Sequence, residues 1–109
     1  MAEVNDLVEK MIKSNNAKGG LVVNKEGTLI YYNEVENPKS IGAIIAFTYG
    51  AAESIGESLN IGEPVSILVS LQDSNLIIIT KNHSYIGFII SKEQSVINTI
   101  NKINELSNK

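Results

Sequence analysis

Residues 76–80 and 85–90 are apolar almost without interruption, and the short polar turn Asn82-His83-Ser84 joins them. A strand with one face in water alternates apolar and polar positions, so two unbroken β-prone runs require a sheet covered on both sides. That requirement fixes a three-layer arrangement before any other element is placed. At 109 residues the chain suffices for one such domain, spanning 1–109, and is too short for two catalytic lobes.

The remaining elements follow from periodicity and punctuation. Val4, Leu7, Val8, Met11 and Ile12 recur at helical spacing, with Glu3 and Asp6 early and Lys10 and Lys13 late as the helix dipole favours, which predicts a helix over 2–15. Gly19 and Gly20 stop it. Leu21, Val22 and Val23, then Lys25-Glu26-Gly27, then the run 28–32 read as an antiparallel hairpin turned at glycine. Pro38 suits a first helical turn with Asn37 as N-cap, and a long second helix runs to about Asn60, its core stripe read as Ile41, Ile45, Thr48, Ala52, Ile55 and Leu59. Val65, Ile67, Val69 and Leu71 then alternate with Ser66 and Ser70, the pattern of an edge strand. Ser91 and Gln94 have capping-box spacing ahead of a last helix carrying Val96, Ile97, Ile100, Ile103 and Leu106. The expected fold is an α/β three-layer sandwich of order α-β-β-α-β-β-β-α, with one mixed five-stranded sheet, the second helix alone on one face and the terminal helices on the other.

Composition removes whole classes of chemistry. The chain has no Cys and a single His, His83, so thiolate metal sites, disulfides and Cys nucleophiles are absent and a transition-metal centre lacks ligands; no cofactor is expected. All nine basic residues are Lys, the net charge is −3, and without a guanidinium there is no bidentate clamp for phosphate or guanine, so nucleic acid is not an expected partner. The start, MAEVNDLVEK, lacks the basic and apolar pattern of a secretory signal, and no apolar run approaches the length of a membrane span. A cytoplasmic protein without direct membrane insertion is the expectation. Neither a phosphate loop nor a Gly-x-Gly-x-x-Gly turn follows any strand.

Individual polar groups are accounted for by solvation and packing. His83 lies in a turn, Glu34 and Glu36 in a loop, and Glu53 and Glu57 one helical turn apart on an exposed flank without further ligands nearby. Tyr31 and Tyr32, adjacent in a strand, point to opposite faces. No catalytic set remains, so an enzyme is not expected.

Two features resist that account. The outward side of the second helix reads as Ala43, Ala46, Gly50 and Ser54, flanked by Phe47 and Ser58 on one side and by Glu53 and Glu57 on the other, where a solvated helix would be charged throughout. The edge strand contains no Lys, Asp or Glu to guard its unpaired backbone row. A twofold axis that joins two such edges also brings two second helices side by side. Val65, Ile67, Val69, Leu71, Ala46 and Gly50 are therefore assigned to a dimer interface, and Ala43, Phe47, Ser54 and Glu57 to partner binding.

The hairpin Gly20-Leu21-Val22-Val23-Asn24-Lys25-Glu26-Gly27-Thr28-Leu29-Ile30, the small-residue-rich second helix, and the run from Val65 to Ile90 with Leu76-Ile77-Ile78-Ile79 and Tyr85-Ile86-Gly87 make nearly the whole chain resemble the roadblock / dynein light chain domain family. The resemblance implies a homodimer, or a heterodimer with a roadblock paralogue, in which the third strands join two sheets into one. It also implies a non-catalytic platform for Ras-like small GTPases, Ragulator-type scaffolds or dynein intermediate chains. Bacterial polarity proteins of that family stimulate GTP hydrolysis, but a chain with no Arg supplies no arginine finger. The alternative is a small-ligand sensor of PAS-, profilin- or longin-like build, which needs an interior pocket with convergent polar groups.

Overall fold

Amphipathic helices at both ends and β-branched runs between them assemble, in the computed structural model, which describes residues 2–107, as α1 (Ala2–Lys13), β1 (Gly19–Asn24), β2 (Leu29–Asn33), α2 (Pro38–Leu59), β3 (Ser66–Ser70), β4 (Ser74–Lys81), β5 (Ser84–Ser91) and α3 (Val96–Ser107). The five strands lie in the order β2-β1-β5-β4-β3. Every neighbouring pair is antiparallel, so the sheet is not mixed as expected. The reason is that α2 carries the chain from one edge to the other. β2 and β3 run the same way but are never neighbours.

The expected division of the helices holds. On one face, Val4, Leu7, Val8 and Met11 of α1 and Ile103 of α3 pack on Val22, Ile77, Ile86, Phe88 and Ile90. On the other, Ile45 and Tyr49 of α2 pack on Leu21, Val23, Ile78 and Tyr85. The alternate residues of each central strand thus feed two separate cores, which is why β4 and β5 read as unbroken apolar runs.

α2 sits on the sheet in a different rotation from the one its apolar stripe indicates. Gly42, Ile45, Tyr49 and Gly56 face inward, whereas Ile55 and Leu59 are 59% and 61% exposed. The cause is close approach. A Cβ on Gly42 would stand 2.5 Å from Val23 Cγ1, and one on Gly56 would run into the Gly62 carbonyl oxygen. Glycines that let two backbones meet contribute nothing to a count of apolar side chains, so the inward line is invisible to it. Tyr49 anchors the line: its ring stacks on Tyr85 with centroids 4.6 Å apart, and its hydroxyl donates to the Pro64 carbonyl at 2.8 Å.

Element ends also differ in detail. α1 stops at Lys13 because Ser14 Oγ takes the Lys10 carbonyl at 2.7 Å and Asn15 turns left-handed at φ 61°. Asn37 is likewise left-handed at φ 54°, and its side chain makes no cap bond; its carbonyl accepts from the Ile41 amide at 3.1 Å. The Ser91–Gln94 capping box does not form. Gln94 Nε2 instead donates to the Asn16 carbonyl at 2.7 Å and to Thr99 Oγ1 at 2.8 Å, and Ser95 Oγ caps α3 through the Asn98 amide at 3.2 Å.

Burial raises the phenol pKa of Tyr49, Tyr85 and Tyr31 above the ordinary 10.0; Tyr31 also donates to Glu9 Oε1 at 2.8 Å, a bond that only the neutral phenol makes. A raised folded-state value means that the unfolded chain ionises first. Stability is therefore fully present below about pH 9 and falls as the pH rises through 10 and beyond. Denaturant midpoints measured across alkaline pH should show that decline, and Tyr31→Phe should make it shallower.

Candidate functional site

With about 100° per residue, the side of α2 opposite its inward line carries Phe47, Ala51, Ser54 and Ser58. Phe47 is 79% exposed, and Ile44 and Ile55 stand exposed beside it. Apart from the terminal Lys39, the charges of α2 are Glu53 and Glu57, which lie with it on the opposite flank. The exposed apolar line is thus Ile44, Phe47, Ala51, Ile55 and Leu59, stepping three, four, four and four residues. Such a seam is what one helix presents to another.

The residues assigned from sequence fall on this helix as follows. Ala43, Ser54 and Glu57 are exposed, and Gly50 is half-exposed with nothing within 4 Å of the place its Cβ would take. Ala46 turns instead toward the β1–β2 hairpin, half-buried against the α2-side core, where a Cβ on Gly27 would meet it at 3.4 Å. Ile44 and Ala51 belong to the exposed line and have no role in the sequence reading, and Ile55, expected in the core stripe, belongs to it too. Their spacing is legible in the sequence; assigning Ile55 and Leu59 to the core concealed it.

β3 forms one edge of the sheet and pairs only with β4. Ile67 and Val69 are half-buried and lie opposite Ile78 and Leu76 on the α2 face, while Leu68 lies opposite Ile77 on the other face and is 47% exposed. Val65 and Leu71, just outside the strand, are exposed. The Leu71 amide donates to the Ser74 carbonyl at 3.1 Å. Amides alternate in direction along an antiparallel strand, so those of Ser66, Leu68 and Ser70 point away from β4 into solvent. The opposite edge is different: the β1–β2 register shifts between Val22 and Val23, and Glu34 follows β2 at a left-handed φ of 58°. An irregular edge discourages pairing, whereas β3 is regular and carries no charge.

Two surface grooves adjoin these elements. One, of about 560 Å³, is lined by Glu53, Glu57 and Glu63 together with Gly50, Gly56 and Gly62. The other, of about 390 Å³, is mostly apolar and lies between the β2–α2 loop and the β3–β4 turn. Among the described residues no three or more His, Asp or Glu side chains converge to hold a metal ion, and no helix is long and apolar enough to cross a membrane. His83 occupies the β4–β5 turn at φ 63°, next to Asn82 at φ 51°. Lys92 Nζ donates to Ser70 Oγ at 2.9 Å and Asn75 Oδ1 at 3.0 Å, tying the end of β3 down from the terminal-helix side.

No protein-family model and no curated protein sequence matches the chain. Solved structures do. Myxococcus xanthus MglB superposes with a TM-score of 0.87 at 17% identity, over 99% of this chain and 91% of that one. A Roadblock/LC7 domain from Streptomyces avermitilis gives 0.83 at 12% identity, over 95% and 91%. Acanthamoeba castellanii profilin IB is more distant, at 0.68 and 11% identity over 95% and 93%. The chain has the roadblock fold.

The two glycines in the second half of α2 should respond oppositely to a methyl group. Gly50→Ala should stabilise the dissociated chain by about 1 kcal/mol, the ordinary helix-propensity gain. Gly56→Ala should destabilise it by about 1–3 kcal/mol through overpacking against Gly62. Urea unfolding at low protein concentration reads both. A loss for Gly50→Ala would mean that another backbone already packs there.

Proposed function

We propose that this chain is a non-catalytic, single-domain adaptor that works as a dimer and binds a Ras-like small GTPase or a related regulatory protein in the cytoplasm. The observation that carries the reading is the coincidence of an uncharged, regular β-edge with an uncharged helix seam on the same face of one sheet. Ile67 of β3 packs into the core beneath α2, so the edge borders the face of the sheet on which α2 sits. A second copy joined through β3 continues the sheet, brings together the Ile55 and Leu59 flanks of the two α2 helices, leaves Phe47 facing outward and removes the outward amides of Ser66, Leu68 and Ser70 from water.

The likeness to MglB and to a Roadblock/LC7 domain supports the adaptor reading at the level of fold. The partner class follows from the family resemblance in the sequence. Because the chain has no Arg, any stimulation of GTP hydrolysis works by reordering the GTPase's own groups and not by a finger in trans. The exposed ring of Phe47 is the aromatic anchor on the doubled helix face, with Ala43, Ser54 and Glu57 around it.

Sedimentation of the intact chain should give about twice 11.8 kDa, and Leu68→Lys, which places like charges on a shared edge, should return it to the single-chain mass. Pull-down with small GTPases from the same genome, loaded with GTP or GDP, should capture one nucleotide state preferentially. Phe47→Ala should weaken that capture about tenfold or more while the fold, read by circular dichroism, stays intact. Dimers that bind no GTPase in either state would remove the partner assignment and leave the dimer standing.

A further inference from the structure

The structure leaves one mostly apolar groove whose occupant can be derived from the symmetry of the edge. α2 crosses the sheet near one end of the strands, with Gly42 over Val23 and Tyr49 over Tyr85. The other end of that face is left uncovered by most of α2, and the groove of about 390 Å³ there is mostly apolar, walled by Leu21, Ile41, Leu71, Leu76 and Ile89, with Glu34 and Glu36 of the β2–α2 loop also on its lining. Resting on the reading that a second copy pairs across β3, we propose that the partner's α2–β3 connection fills this groove, with the partner's Ile61 and the partner's Val65 as the inserted side chains.

Register decides the match. Residues paired in an antiparallel ladder point to the same side of the sheet. A join that keeps both α2 helices on one side therefore pairs residues of like parity, and the twofold axis passes through a residue and not between two. Passing it through Leu68 pairs Leu68 with the partner's Leu68 and Ser66 with the partner's Ser70. All three outward amides of β3 are then used, for about six hydrogen bonds. An axis through Ile67 would set Ser70 against the partner's Pro64, which has no amide hydrogen and whose carbonyl already accepts from Tyr49. An axis through Val69 would set Ser66 against the partner's Gln72, outside the strand.

With the axis at Leu68, Leu71 stands opposite the partner's Val65 on the α2 face, at the mouth of the groove. Val65 and Ile61 are 85% and 76% exposed within one chain, among the most exposed large aliphatic side chains it has. The carboxylate of the same connection, Glu63, lines the acidic groove of its own chain together with Glu53 and Glu57. With Glu63 turned to its own chain, the segment offers apolar side chains to the apolar part of the groove, away from Glu34 and Glu36.

The chain has no Cys, which makes cross-linking clean. Val65→Cys and Leu71→Cys proteins, one carrying a mass tag, are refolded together and oxidised. Their positions form a pair without mutual backbone bonds, with Cα atoms about 4.5 Å apart, within disulfide range. The mixture should yield a cross-linked heterodimer, and neither variant alone should cross-link, because like positions lie roughly 20 Å apart along the strands. A cross-link in either variant alone, or none in a mixture that sediments as a dimer, overturns the register and the groove assignment while the dimer survives. A single-chain mass for the natural protein overturns the dimer reading itself. Ile61→Asp, at a position exposed in the lone chain, should raise the dimer dissociation constant at least tenfold with an unchanged circular dichroism spectrum. An unchanged constant overturns the groove assignment.

Discussion

The close seating of α2 on the sheet determines what the molecule presents to solvent. Gly42 against Val23, the Tyr49 ring on Tyr85 and Gly56 against Gly62 fix both the rotation of the helix and its path across the strands. Each contact tolerates little added volume, and buried contacts of this kind move only together. Once that rotation is set, Ile44, Phe47, Ala51 and Ile55 face outward. The same path leaves the Leu71–Leu76 end of the sheet uncovered by most of α2.

The exposed apolar groups are therefore a consequence of packing and not a failure of it. A helix turned to bury Ile55 and Leu59 would lose the glycine contacts and the bond from Tyr49 to Pro64. The cost of leaving large aliphatic groups in water is about 25 cal/mol for each Å² of apolar surface, a cost that a second copy removes. The asymmetry of the two sheet edges points the same way: β2 is irregular at its bulge and at Glu34, and β3 is straight, uncharged and short.

Much of this fold was legible in the chain. The unbroken apolarity of β4 and β5 required helices on both faces, Gly27 marked the first hairpin, and the alternation from Val65 to Leu71 marked an edge. What the sequence hid were contacts made by backbone or by missing side chains. Gly42 and Gly56 turn α2 without adding to its apolar count, so Ile55 and Leu59 looked inward and Ala46 looked outward. Asn37 and the pair Ser91 and Gln94 carried capping residues at suitable spacing, but Asn37 is left-handed and its side chain makes no cap bond, and the Gln94 side chain goes instead to Asn16 and Thr99. The antiparallel order of the whole sheet depends on α2 reaching the far edge, a matter of helix length and path that pairwise strand patterns do not encode.

The claim at the centre is that the row of amides along β3 is satisfied by another strand in solution. Site-resolved amide hydrogen exchange of the natural protein at micromolar concentration tests it directly. The account requires slow exchange at Ser66, Leu68 and Ser70, comparable to the inner strands and quickening on dilution. Rapid exchange at those three amides at every concentration, with the neighbouring Ile67 and Val69 still protected, would contradict it.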